Sequence, residues 1–275
     1  MSLKPEDYLE PACPLCMSDP TQENPVRRID LQRMMQKLDE HLGRNDYVAA
    51  LRHLKYWLAE ADFYHDVQGT LAVYNELMGL HRKMGHKDAA ISAVSHGLSL
   101  IERLNLEDTV TAGTTYVNAA TVYKAFDMID KALPLYCSAQ MIYEKALCGD
   151  DPRLGGLYNN MALALSADGQ YEEADDYYRK ALKVMEHAEH GALEQAITYL
   201  NMADNEAAKL GILESEGVTE QYLDQAQRLL KLPELPRNGY YAFVCEKCAP
   251  TFRYFGRFAF AEELEALSKK IYERT

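Results

Sequence analysis

The chain has 275 residues, with 42 Asp and Glu against 29 Lys and Arg and a formal net charge of −13. A surface of that sign repels phosphate backbones, which argues against nucleic-acid binding. No stretch approaches the ~20 consecutive apolar residues that span a bilayer, and the opening Met1-Ser2-Leu3-Lys4-Pro5-Glu6-Asp7 lacks the basic and apolar regions of a secretion signal, so a cytoplasmic protein is expected.

Residues 1–29 read as an irregular, Pro-rich leader that carries Cys13-Pro14-Leu15-Cys16. From residue 30 onward the pattern is helical. The stretch Leu31–Asp66 has Ala50, Leu54 and Trp57 on one helical stripe, with Asn45-Asp46 as the turn before it. Then a tyrosine-led segment recurs: Tyr74-Asn75-Glu76-Leu77, Tyr116-Val117-Asn118-Ala119, Tyr158-Asn159-Asn160-Met161 and Tyr199-Leu200-Asn201-Met202. The tyrosines are spaced by 42, 42 and 41 residues, and Ala90, Ala132 and Ala174 keep the interval of 42. Register held across three intervals marks an internal repeat.

Each unit reads as two helices. In the clearest one, Leu157–Leu165 has helical apolar spacing, Asp168-Gly169-Gln170 breaks it, and Ala174, Tyr178 and Ala181 line a second helix. Small alanines let two helices approach closely while tyrosines and leucines fill the space beside them. One such hairpin cannot bury its own stripe, but stacked neighbours can. The unit near Ala196 is expected to be interrupted at Gly211–Gly217 before a helix around Gln221–Leu230, which Pro233 and Pro236 end. A final unit, Ala242–Thr275, has Ala249, Phe252, a turn at Gly256 and Ala261 in register. The expected fold is thus all-α, with six hairpins near 31–70, 71–112, 113–154, 155–195, 196–241 and 242–275.

The series Tyr116, Ala119, Ala120, Tyr123, Ala132, Tyr136, Ala139 and the series Tyr158, Met161, Ala162, Leu165, Ala174, Tyr178, Ala181 resemble the tetratricopeptide repeat (TPR). Tyr74, Leu77, Met78, His81, Ala90, Val94 and Gly97 follow it more loosely. The interval of 42 exceeds the ~34 residues usual for that repeat and is similar to the lengthened repeats of kinesin light chains and of some bacterial peptide-sensing regulators. The resemblance implies a right-handed superhelical solenoid whose first helices line a concave groove, and a non-catalytic adaptor that binds a protein or peptide.

Within that implied frame the sixth repeat position reads Glu76, Asn118, Asn160, Asn201 and Lys247. Three successive Asn offer a donor and an acceptor each, suited to the backbone of an extended peptide. Arg82 and Lys124 fall near the ends of first helices and suit an acidic group on the same ligand. The second position holds Ala72, Thr114, Gly156 and Ile197, so a lysine-based carboxylate clamp is not expected. Catalytic and metal residues are not expected either: there is no phosphate loop, nucleophile elbow or His-Glu-x-x-His pair, and no cofactor is implied. Cys245 and Cys248 fall at core positions, and Cys13 and Cys16 are far from them in a stack. A self-associating scaffold, as a homodimer, is the alternative reading; a zinc or redox role for Cys13 and Cys16 is a weaker one.

Overall fold

The computed structural model describes residues 27–188 and 191–273. Among them the chain forms twelve α-helices and no strand. It divides at Ala146 and Leu147 into two units. The first holds α1 (Leu31–Gly43), α2 (Tyr47–Phe63), α3 (Val67–Lys83), α4 (Lys87–Arg103), α5 (Val110–Ala125) and α6 (Ile129–Ala146). The second holds α7 (Pro152–Ala167), α8 (Tyr171–Met185), α9 (Gly191–Leu210), α10 (Ile212–Leu230), α11 (Gly239–Tyr254) and α12 (Phe258–Tyr272). Odd- and even-numbered helices pair as hairpins. Residues 1–26 of the leader, with Cys13 and Cys16, lie outside the described residues.

One turn design recurs between paired helices. The N–H groups of Asp46, His86, Met128, Gln170 and Arg257 return to the carbonyls of His41, His81, Tyr123, Leu165 and Phe252 at 2.8–2.9 Å. The residue before each donor has positive φ: Asn45, Gly85, Asp127, Gly169 and Gly256. This is the left-handed cap that satisfies the last carbonyls of a helix and reverses the chain in three residues. The long period has two sources. In the middle repeats the helices run from 15 to 18 residues, and the connections 104–109 and 147–151 add to them.

Alanine forms the seams. Ala50, Ala90, Ala132, Ala174 and Ala261 on second helices are all fully buried, as are Ala119, Ala120, Ala162, Ala203 and Ala249 on first helices. Tyr136 and Tyr178 are the largest side chains fully enclosed beside them. The leading tyrosines depart from the expectation that they are core. Tyr158 is buried at 8%, but Tyr74, Tyr116 and Tyr199 are half-buried, and Tyr74 stacks on His96 with ring centroids 4.9 Å apart. A tyrosine at a seam edge gains contact with its ring and keeps its hydroxyl wet.

The expected interruption at Gly211–Gly217 is also corrected. Only Gly211, at φ 91°, breaks the chain, and α10 runs unbroken through Gly217 from Ile212 to Leu230. Glycine inside a helix costs ~1 kcal/mol against alanine. Here α10 offsets that cost by burying Ser215, Thr219, Leu223, Ala226 and Leu230.

Asp66 anchors the start of the described chain. Its carboxylate caps α3 by accepting from Gly69 N at 3.0 Å and also accepts from Ile29 N at 2.8 Å, in a site where Asp66 is 3% exposed. A Cβ on Gly69 would sit 2.7 Å from the Ile29 side chain and still nearer the Asp66 carboxylate. Asp66→Ala leaves two buried N–H donors without a partner. It should lower stability by about 1–3 kcal/mol in a urea titration, with the slope unchanged.

Candidate functional site

The first helices carry the residues that sequence marks for binding, and the structure gives them unequal work. In the first unit, Asn118 on α5 donates from Nδ2 to Asn75 Oδ1 on α3 at 3.0 Å. Asn75 is 2% exposed, and its own Nδ2 donates to Thr115 Oγ1 (3.1 Å) and Leu71 O (3.2 Å). In the second unit, Asn201 on α9 donates to Asn159 Oδ1 on α7 at 3.0 Å, and Thr198 Oγ1 donates to the same oxygen at 3.3 Å. The two arrangements are related clasps that differ in the role of the threonine: Thr115 accepts from Asn75 Nδ2, whereas Thr198 donates to Asn159 Oδ1. An Asn of one repeat is held by a Thr and an Asn of the next, so one amide of Asn118 and of Asn201 is spent on joining hairpins. Each keeps its Oδ1 as an acceptor. Asn160 differs, since its Nδ2 donates to Gly156 O of its own helix at 3.0 Å.

Sequence reasoning missed Asn75, Asn159, Thr115 and Thr198. The signal was present: Thr-Tyr-x-Asn occurs at 115–118 and again at 198–201, each one repeat after a Tyr-Asn pair at 74–75 and 158–159.

Arg82 and Lys124 occupy the last turns of α3 and α5, at the same repeat position. Both are half-buried. Burial makes the charged form of Arg82 costly and lowers its pKa, an effect the neighbouring Tyr136 opposes. Among the described residues no carboxylate forms an ion pair with Arg82. The carbonyl end of α3 compensates the charge only in part.

The second unit has a charge of the opposite sign in a similar state. Asp204 on α9 is reached by solvent but crowded by protein, and desolvation raises its pKa to about 6 despite a hydrogen bond from Thr251. The buried Cys245 and Cys248 are both free thiols on α11. Burial first, for each, pushes Cys245 up to about 11 and Cys248 up to about 12, which keeps them as inert core groups. Among the described residues no three His, Cys, Asp or Glu come together as a metal site, and no helix is long and apolar enough to cross a membrane.

Comparison with known proteins places this geometry. Residues 156–184 match the family model of the tetratricopeptide repeat. The repeats are TPR-like. Among solved structures, a putative kinesin light chain with nearly identical TPR-like repeats from Podosopora anserina is similar, with a TM-score of 0.52 at 16% identity, over 73% of this chain and 94% of that one. BtubC (BKLC) from P. vanneervenii is similar with a TM-score of 0.52 at 18% identity, over 85% and 90%. At these identities the likeness is one of fold. No curated protein matches the sequence. The TPR-like fold is an architecture of protein-interaction scaffolds and typically a non-catalytic one.

Two outcomes follow from the clasps and from Asp204. Asn75→Ala and Asn159→Ala should each lower stability by about 1–3 kcal/mol in chemical unfolding, because each leaves buried groups of the next repeat without a partner. For Asp204, a folded pKa raised above the unfolded 3.8 means that the ionised form is disfavoured by the fold. Its cost is full above pH 6 and fades as pH falls towards 4. Asp204→Asn should therefore raise the Tm at pH 7 and lose that advantage at pH 4, as measured by calorimetry at both values.

Proposed function

We propose that this chain is a non-catalytic, cytoplasmic adaptor that binds a protein or an extended peptide along the first helices of its TPR-like hairpins. The observation that carries the reading is Arg82, a half-buried guanidinium with no ion-pair partner among the described residues. A cation withdrawn from water is costly unless an anion meets it. With Lys124 at the same position of the next repeat, it suits a carboxylate on a ligand. Asn118, Asn160 and Asn201 supply the amide chemistry for the ligand backbone, Asn118 and Asn201 through the acceptor that the clasp leaves over. Arg82, Asn118 and Lys124 act in the first unit, and Asn160 and Asn201 in the second.

The formal charge of −13 disfavours a nucleic-acid partner. Local positive charge at Arg82 and Lys124 then selects for an acidic segment against the field of the whole chain.

Selection of a random peptide library on the full chain tests the reading. Wild type should enrich sequences with Asp or Glu, and the Arg82→Gln/Lys124→Gln variant should lose that enrichment with its Tm unchanged or raised. The same enrichment from both, or none from wild type, counts against it.

A further inference from the structure

The first hairpin departs from a pattern that the next two keep. Counted from the turn residues Asn45 and Gly85, Arg33, Lys37 and Glu40 on α1 stand where α3 has Val73, Leu77 and Leu80. Those three are at most 5% exposed, and Thr115, Ala119 and Val122 at the same positions of α5 are at most 1% exposed. Later hairpins bury this stripe on joining the one before, as Thr115 does in meeting Asn75. Arg33, Lys37 and Glu40 are exposed, and no described hairpin precedes α1.

A second departure lies opposite, on α2. Trp57 occupies the position of Gly97 on α4 and of Ala139 on α6. A Cβ on Gly97 would already sit 2.4 Å from the Met78 side chain, so the seam there has no room for a ring. With an indole in that place, α1 and α2 pack least closely of the six hairpins. Between them lies a concavity of about 460 Å³, the size of a small-ligand site. Its lining includes Arg33, Lys37, Glu40, His53, Tyr56 and Trp57.

The lining has a side of rings and a side of charge. Tyr56 and His53 both meet Trp57 edge to face, with centroids 5.5 and 6.2 Å away. Tyr56 is 57% exposed. Trp57 Nε1 is enclosed and has no acceptor, so the indole takes part through its ring. His53 Nε2 lies 2.9 Å from Met34 O, and burial lowers the His53 pKa, which keeps the imidazole neutral at pH 7. On α1, Lys37 and Glu40 pair with each other. Arg33 joins no ion pair among the described residues, so its charge is the uncompensated one. A guanidinium takes a carboxylate through two parallel hydrogen bonds, and an exposed tyrosine ring takes another ring. A ring that carries a carboxylate answers both sides at once.

We propose that the concavity between α1 and α2 binds an aromatic carboxylate, with Arg33 on the carboxylate and Tyr56 and Trp57 against the ring. Two sources offer that chemistry, a small aromatic acid and the C-terminal aromatic residue of a peptide. The site uses neither Arg82 nor Lys124, so it stands or falls apart from the peptide-binding reading above.

Trp57 is the one tryptophan of the chain, so its emission reports on this site alone. 3-Phenylpropionate is titrated into the full chain and followed by tryptophan fluorescence and by calorimetry. Wild type should give a saturable change with a matching heat, weakened about tenfold in Arg33→Gln and severalfold in Tyr56→Ala. Both side chains are exposed, so both variants should keep the wild-type Tm. 3-Phenylpropanamide has the ring without the charge and 3-cyclohexylpropionate the charge without the ring; each should bind about tenfold more weakly. Arg82→Gln/Lys124→Gln should bind like wild type. No saturable signal by either method, equal curves for wild type and Arg33→Gln, or loss of binding in Arg82→Gln/Lys124→Gln overturns the site. Acetyl-Gly-Gly-Phe as its free acid and as its amide then identifies the source. Tighter binding of the peptide acid than of 3-phenylpropionate assigns the site to a peptide C-terminus, and binding of 3-phenylpropionate alone assigns it to a small acid.

Discussion

A helical hairpin has two apolar faces and only one partner within itself, so every other feature of this chain depends on how closely one hairpin can approach the next. Alanine sets that distance. Ala50, Ala90, Ala132, Ala174 and Ala261 are at zero exposure on second helices, and a side chain of one carbon lets backbones approach closely. The large residues are then confined to the flanks of the seam, where Tyr136 and Tyr178 are fully enclosed. Close approach also brings polar groups of adjacent first helices within hydrogen-bonding reach.

The Asn75 and Asn159 clasps are a consequence of that reach. Alanine seams are smooth, and apolar contact by itself tolerates sliding of one hairpin along the next. A buried amide bonded to a Thr and an Asn of the following repeat has one satisfactory register, because any slip strands several polar atoms at once. The clasps therefore add positional definition to a contact whose energy comes mainly from burial. They also show how asparagines on first helices can join hairpins and still keep an acceptor.

Arg82 in the first unit and Asp204 in the second are ionisable groups held in partly dehydrated positions, with opposite signs. Neither position helps the fold, since each makes its charged form less favourable than in water. Perturbed groups of this kind concentrate where a protein meets something else.

The repeat, its helical class, the hairpin turns and the alanine seams were legible in sequence because they obey local rules with a fixed period: 3.6-residue apolar spacing, turn residues at Asn45, Gly169 and Gly256, and tyrosines at intervals of 42. Gly217 was misread for the same reason, as its local preference against helix is overridden by burial of α10 along α9. The candidate site was legible only in part. Asn118, Asn160 and Asn201 look equivalent in the repeat, yet their partners lie 43, 4 and 42 residues away. Whether an amide is spent on a neighbouring repeat, whether Tyr136 finds a hydroxyl and Tyr178 does not, and whether an aspartate loses its water are decided by which side chains meet across a seam. Periodicity determines which residues face the seam; only packing in three dimensions determines what each one touches there.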